Sequence, residues 1–412
     1  MKIIADLHIH SRFSRATSGE MNIASLDEYA SMKGITLLAT GDFTHPIWFE
    51  ELKEQLKSAS PGLYRYKETH FILQAEVNTL FYRENRAKNV HCIILAPSLE
   101  AAETLNKKLW DYGNLAQDGR PILKIEPKKL VDTALKISQD FLIIPAHVWT
   151  PHFSLFGANS GFDSVEECFG EHTEHIFALE TGLSSDPAMN WRLSALDRYT
   201  LVSNSDSHSP AKIGREANIF DAPLDYFEIV KIIKTKDTAR FLETIEFFPE
   251  EGKYHYDGHR NCNVCMAPPE TVAAEGICPK CHRRVTVGVM HRVETLADRP
   301  EGARPERTVP FRNMIPLGEI IADVLGKGVQ TKTVTTEYMN IIKRFGTEFA
   351  VLLDVPEDEL CKNVSPRIAS AVIKVRQGAV NIHPGYDGEY GRIEIPLDTG
   401  EEAHAEKQME LF

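Results

Sequence analysis

The 412-residue chain has no run of about 18 consecutive apolar residues, so no transmembrane helix is expected. Met1 runs almost directly into an apolar strand, and no signal peptide is expected either. Cysteine is scarce. Of the seven present, four crowd between positions 262 and 281, while Cys92, Cys168 and Cys361 stand alone. Such a distribution argues against a disulfide framework and suits a reducing cytoplasm with a metal site. Basic residues are also in the minority, 46 Lys and Arg against 59 Asp and Glu, for a formal charge of −13. That total does not exclude a nucleic-acid partner, because residues 282 to 386 are locally basic and bound cations would cancel part of the negative charge elsewhere.

What the first 220 residues do have is one pattern repeated seven times: an apolar β-type run ending near a histidine or an acid. The runs are Lys2 to His10, Ile35 to Asp42, Phe71 to Val77, Val90 to Leu95, Phe141 to His147, Ile176 to Glu180 and Thr200 to His208. Most are continuously hydrophobic, as expected of parallel strands buried on both faces, with Leu26 to Lys33 and Pro127 to Ser138 as crossover helices. The first run delivers Asp6, His8 and His10. Side chains at i, i+2 and i+4 of a strand share a face, so two imidazoles emerge beside a carboxylate suited to fix a tautomer, a role that falls to Asp6. The other runs bring Asp42 with His45, Glu76, His91, His147, Glu180, and Asp206 with His208 to strand ends. In a (β/α) barrel those ends form one rim, where chemistry is kept. Seven ends of one chemical type point to metal ligands rather than packing.

Cys262-x2-Cys265 and Cys278-x2-Cys281, twelve residues apart, have the spacing of a four-cysteine zinc ribbon, a closed site whose role is structural. Arg260, Lys280, Arg283 and Arg284 surround it and offer phosphate contacts. Beyond it Leu317 to Leu325, Tyr338 to Arg344 and Arg367 to Gln377 read as helices. Gly326-Lys-Gly328, with Lys327, Lys332, Lys343 and Arg344 nearby, suits a helix-hairpin-helix-like grip on a nucleic-acid backbone, although basic residues on helices more often form a solvated face.

The order D-x-H-x-H, Gly-Asp with a nearby His, a Glu closing the third run, single histidines on the fourth and fifth, and a terminal Asp-x-His resembles the PHP (polymerase and histidinol phosphatase) metallo-phosphoesterases. That resemblance implies an α/β fold, a distorted seven-stranded (β/α) barrel with two or three divalent ions (Zn, Mn or Mg). Its implied ligands are His8, His10, Glu76, His91, His147, Asp206 and His208, with Glu76 bridging and Glu76, Asp206 and His208 in catalytic roles. The family's Thr-Asp-His is here Thr-Gly-Asp-Phe-Thr-His, so Asp42 and His45 are weaker candidates, and Glu20 weaker still. With the ribbon, the helical tail and the wording E-T-G-L-S-S-D-P (180 to 187), N-W-R-L-S-A-L-D-R-Y (190 to 199) and S-N-S-D-S-H-S-P (203 to 210), the whole chain to about Ile395 resembles the endonuclease Q family.

The resemblance implies a barrel over 1–245, a ribbon over 246–290, a small mainly helical DNA-binding domain over 291–396 and an acidic tail over 397–412. It implies nicking of DNA on the 5′ side of hypoxanthine, uracil or xanthine, and at abasic sites, by a cytoplasmic enzyme associated with the nucleoid when acting. Trp149, Phe153, Phe156 and Trp191 are available to stack on an extruded base or, as readily, to pack the core. Two alternatives remain open on the residues: a phosphatase for a small phosphomonoester, which leaves the ribbon and helices without a purpose, and a non-catalytic nucleic-acid-binding protein. The final Gln408-Met409-Glu410-Leu411-Phe412 resembles the motif by which bacterial repair proteins dock on the sliding clamp, with Gln408 polar and Leu411 and Phe412 as anchors.

Overall fold

A computed structural model describes residues 1–159 and 161–397. The chain forms two compact units. One runs from Met1 to Met314 and includes Pro384–Arg392; the other runs from Ile315 to His383 and takes up the chain again at Ile393.

Seven strands of the first unit close into a ring: β1 (Lys2–Asp6), β2 (Leu37–Ala39), β3 (Thr69–Arg83), β4 (Arg86–Ala96), β5 (Leu142–Pro145), β6 (Ala178–Glu180) and β7 (Thr200–Val202). One falls in each of the seven expected runs. β1, β2 and β3 pair in parallel, with Ala5 opposite Leu37 and Leu37 opposite His70. β6 and β7 pair in parallel too, with Leu179 opposite Leu201. The ring is joined by Val148 N–H donating to the Glu180 carbonyl (3.0 Å) and closed by Asp206 N–H donating to the His8 carbonyl (3.0 Å). The distortion lies in β4, which is antiparallel to both β3 and β5, against the expectation of parallel strands throughout. A second departure follows: β3 does not end near Glu76 but continues to Arg83 in a long hairpin, and His91 enters the rim from the middle of β4, opposite Asn78 and at the start of the strand's buried part. Reversing one strand brings its beginning to the rim where the others end.

Local sequence sets the layer outside the ring. Helix α1 (Ile23–Lys33) starts where the Asn22 side chain accepts from Ser25 N–H and stops at Gly34, whose φ of +86° suits glycine. Helix α2 (Pro46–Gln55) has Pro46 at its first turn and His45 as its cap. α3 (Leu99–Leu109) and α4 (Pro127–Leu135) bury Leu105, Leu109, Leu130 and Ala134. Beyond the ring, β8 (Ala217–Asp221) pairs antiparallel with β1 and β9 (Phe241–Glu246) antiparallel with β8. The chain then leaves the sheet, forms the hairpin β10 (Asp257–His259) and β11 (Val264–Met266), and returns as β12 (Phe311–Asn313), parallel to β9. The ribbon and the stretch to Met314 therefore lie in the same compact unit as the barrel.

The second unit is helical. Its α5 (Leu317–Leu325), α6 (Lys332–Phe345) and α7 (Pro366–Arg376) bury Ile320, Ile321, Val324, Ile341, Ile342, Val372 and Val375. The buried Glu348 accepts from Leu317 N–H (3.0 Å) and from the Tyr338 hydroxyl (2.8 Å), giving an otherwise orphaned helix N-terminus an anionic partner. Among the described residues no helix is long and apolar enough to cross a membrane.

Candidate metal centre

Three residues at the ends of rim strands adopt left-handed backbone: Asp42 (φ +44°), His147 (φ +32°) and Asp206 (φ +47°). Side-chain-bearing residues avoid this region, and it persists only where surrounding structure over-determines it. Each lies a few residues beyond a rim strand, where the chain leaves the sheet; His147 and Asp206 bring their side chains to the ligand groups, and Asp42 brings its own behind His10. Gly182 explains part of the E-T-G wording: its φ is +61°, and a Cβ there would lie 2.5 Å from that of His147.

The side chains assemble around Glu76, which is fully buried. Its Oε2 lies 3.1 Å from His10 Nε2 and 3.5 Å from His8 Nε2, and Asp206 Oδ1 is 3.0 Å from the same His10 nitrogen. On the other side, Oε1 lies 2.7 Å from His91 Nδ1 and 3.1 Å from His147 Nε2. Two ligand groups thus share one carboxylate: His8, His10, Glu76 and Asp206, and Glu76, His91 and His147, the candidate atoms of each within 4.8 Å of one another. Sharing through separate oxygens is how a carboxylate bridges two cations.

The imidazoles of His8 and His10 are held in orientation from behind. His8 Nδ1 faces Glu180 at 3.0 Å, and His10 Nδ1 faces Asp42 at 3.0 Å. Asp42 is held in turn by Ser11 N–H (2.6 Å) and the hydroxyls of Ser11 (2.7 Å) and Ser14 (2.9 Å). Such outer carboxylates set the tautomer that leaves Nε2 free to ligate. Burial opposes charge on His8 and His10, but Glu180 and Asp42 respectively outweigh it and raise both pKa values well above the ordinary histidine range. Burial would also raise Glu76 and Asp206. His91 and Arg120 hold Glu76 low, and the histidines His10 and His8 hold Asp206 low. The pocket is built around positive charge at its centre, and divalent ions with neutral imidazoles satisfy that demand. Consistently, among the described residues the buried His8 Nε2, His10 Nε2 and Asp206 Oδ1 make no well-aligned hydrogen bond despite their close carboxylate–imidazole distances.

Several sequence candidates stand elsewhere. Asp6 is not a tautomer fixer: it accepts from the backbone N–H groups of Ser205 (3.1 Å) and Gly214 (2.8 Å) and ties β1 to the last rim loop. Asp42 serves behind His10, outside both ligand groups. His45 caps α2 and stacks on Phe13 with centroids 4.3 Å apart. His208 also lies outside the groups, tilted against His10 (4.5 Å) at the mouth, with its Nδ1 2.9 Å from the Asp206 carbonyl. Glu20 is exposed. Of the aromatic candidates, Trp149 and Phe156 are buried and Trp191 packs edge-on against Phe311. Phe153 is at the rim, 45% exposed and stacked on His91 at 5.4 Å. Sequence reasoning placed Glu180 at a strand end without giving it this role, and it missed Arg120, whose Nη1 is 3.1 Å from Glu76 Oε2.

In the ribbon the fourth partner differs from the expected one. The group that converges is His259, Cys262, Cys278 and Cys281, and Cys265 is not in it. Strand alternation is the reason. Val264 and Met266 turn inward onto Cys278, so Cys265 between them turns outward and is exposed. His259 sits opposite Val264 in register, and its Nδ1 is 3.4 Å from Cys281 Sγ. Arg283 and Arg284 are exposed beside this group, and in the helical unit Lys327, Lys332, Lys343 and Arg344 are exposed as well. Gln408, Leu411 and Phe412 lie outside the described residues.

The family model of the MJ0043 C-terminal domain matches residues 316–379. The protein YqxK of Bacillus subtilis strain 168 is 31% identical over 414 residues, covering 95% of this chain and 99% of its own length. Among solved structures, the lesion-specific endonuclease PfuEndoQ from Pyrococcus furiosus is similar with a TM-score of 0.86 and 33% identity, covering 96% of both chains. A complex of endonuclease Q with a 27-mer duplex carrying an abasic lesion at the active site is similar with a TM-score of 0.83 and 32% identity, covering 96% of this chain and 97% of that one.

Proposed function

The chain belongs to the endonuclease Q family, and from that premise we propose that it is a metal-dependent DNA endonuclease. In this reading it nicks the backbone on the 5′ side of hypoxanthine, uracil or xanthine, and at abasic sites. The observation that carries the reading is Glu76, one oxygen turned to each of two buried ligand groups. His8, His10, Asp206 and Glu76 Oε2 would hold one divalent ion, and His91, His147 and Glu76 Oε1 a second. Such a pair supplies Lewis acidity toward a phosphate oxygen and an acidified water. The protein's own contribution is placement. Glu180 and Asp42 keep the imidazoles aimed, and Asp206 with His208 at the mouth orients the attacking water. The ribbon group His259, Cys262, Cys278 and Cys281 suits one structural zinc.

Lesion choice has a physical source in the low cost of unstacking a poorly paired base. A cleft of about 610 Å³ lined by His152, Asn159, Ser184, Tyr254 and Thr286 opens between the loop after β5 and the ribbon. It suits an extruded base, with Phe153 at the rim beside it. Arg283, Arg284, Lys327, Lys332, Lys343 and Arg344 serve the sugar-phosphate backbone. Acting on DNA, the enzyme works in the cytoplasm at the nucleoid, and its terminal Gln408, Leu411 and Phe412 dock on the sliding clamp. A peptide of residues 401–412 is expected to bind a bacterial clamp at about micromolar Kd and to lose binding when Leu411 and Phe412 become alanine.

End-labelled duplexes with one deoxyinosine, deoxyuridine, deoxyxanthosine, abasic site or no lesion, incubated with Mg²⁺, Mn²⁺ or Zn²⁺ and sized, test the reading. A product ending 5′ to the lesion is expected. Hydrolysis of p-nitrophenyl phosphate alone would make the enzyme a phosphomonoesterase, and binding without cleavage would make it a non-catalytic DNA-binding protein.

A further inference from the structure

The ion pairs of Glu76 are with four histidines and one arginine. A guanidinium 3.1 Å from the carboxylate placed to bridge two cations calls for an explanation, because with metals bound it would crowd positive charge where they would supply it. The fold nevertheless builds the position with care. Arg120 rides on a strap, residues 113–121, laid across the rim. The strap is tied to β3 by Asn78 N–H donating to the Pro121 carbonyl (3.0 Å), two residues beyond Glu76, and to the first rim loop by Gly119 N–H donating to the Phe13 carbonyl (3.0 Å). Asp118 accepts from the backbone N–H of Arg120 (3.0 Å) and of Arg15 (3.3 Å). Gly119 is required there, since a Cβ would fall 2.3 Å from Asp42 Oδ2 and 2.4 Å from Ser14 Oγ.

The side chain of Arg120 is 28% exposed, while that of Glu76 is fully covered. The guanidinium therefore reaches from the mouth down to the carboxylate, and most of its five N–H donors are not engaged by Glu76. Glu76, Asp206 and Asp118 are the carboxylates near the guanidinium; with Glu76 and Asp206 given over to metals, its outward N–H groups are left for an anion arriving through the same opening. The planar fork of arginine matches two oxygens of a phosphate.

We propose that Arg120 is a catalytic residue, gripping the non-bridging oxygens of the scissile phosphodiester with the N–H groups that face the mouth. This rests on the phosphodiesterase reading above. Charge grows on those oxygens as the nucleophile adds, so a donor fixed in advance stabilises the transition state more than the ground state.

Arg120→Ala, Arg120→Lys and the parent enzyme would be compared for metal content by atomic emission, for binding of inorganic phosphate by calorimetry, and for single-turnover nicking of an abasic duplex. The expected results are unchanged metal content, phosphate binding weakened at least about tenfold, and nicking slowed by roughly 100-fold in Arg120→Ala. Partial recovery is expected in Arg120→Lys and on adding guanidinium chloride at millimolar concentration. If Arg120→Ala binds phosphate as the parent does, the proposal is overturned. It is also overturned if the variant loses metal and excess metal restores the full rate, since Arg120 would then only brace Glu76. Phosphate calorimetry decides the point even if the parent nicks no lesion, a result that would count against the lesion reading alone.

Discussion

The rim and the ribbon solve one task, holding side chains around a cation, by opposite means. At the rim the ligands come from positions 8 to 206 of the chain and are buried apart from the half-buried Asp206, and His8 and His10, just beyond β1, each have a carboxylate behind them. The sheet fixes the site before any ion arrives. In the ribbon the four partners lie within 23 residues, and the apolar cluster beneath them is three residues, Val264, Met266 and Cys278, with a few half-buried neighbours. So small a core cannot offset the entropy of ordering its loops, and metal binding must supply the difference. A preorganised site can give its metal over to chemistry; a site that depends on its metal for folding cannot.

The contrast is most directly broken at Asp206. Asp206→Asn should cut nicking by at least about 1,000-fold while DNA binding and the thermal midpoint stay near those of the parent; loss of fold would mean the rim is no more preorganised than the ribbon. Next in size is the ribbon's dependence on its ion. Cys278→Ser should leave the ribbon open to proteolysis while near-ultraviolet circular dichroism of the barrel persists. His259→Ala should likewise release metal and Cys265→Ser should not, and the reverse pattern would return Cys265 to the site.

A smaller effect is expected from Gly182→Ala, which forces a Cβ against His147 at a left-handed residue. The cost should be about 1–3 kcal/mol, read as a lowered thermal midpoint with the ribbon's protease resistance unchanged. Smallest is a change of slope. Burial pushes the Glu246 carboxyl from 4.5 to about 8. The folded state thus holds this proton more tightly than the unfolded one, and the stability it contributes is full below about pH 4.5 and lost as the pH rises toward 8. Glu246→Gln should flatten the fall in thermal midpoint between pH 5 and pH 8; an unchanged slope would assign the fall to other groups.

The seven strands were legible because buried strands advertise themselves as apolar runs, and each run has near one of its ends a polar residue that the structure brings to the rim or directly behind it. Direction was not legible. Nothing in Val90 to Leu95 distinguishes a strand that ends at the rim from one that begins there, and only the ladder with β3 settles it. The convergence of His8, His10 and Glu76 was readable, from the i, i+2 spacing of the histidines and from the place of Glu76 near the end of an apolar run; their roles came from the family resemblance. They were not readable for Asp42 and Glu180, since a carboxylate that touches a metal and one that touches the ligand behind it look alike in sequence. His259 escaped notice because a paired C-x2-C spacing hides the alternation of β11 that turns Cys265 away. Arg120 sits on a strap with no motif, and only its distance to Glu76 reveals it.

The excursion that carries the ribbon leaves the sheet after Glu246 and comes back as β12, where Thr244, Ile245 and Glu246 pair with Phe311, Arg312 and Asn313. Arg312 Nε also donates to Glu243 (2.6 Å), and the Asn313 amide to the Phe247 carbonyl (2.8 Å). The returning strand is thus stitched to the departing one. A backbone break anywhere between 247 and 310 leaves the two fragments joined edge to edge, so a molecule clipped there would travel as one particle and come apart only when denatured.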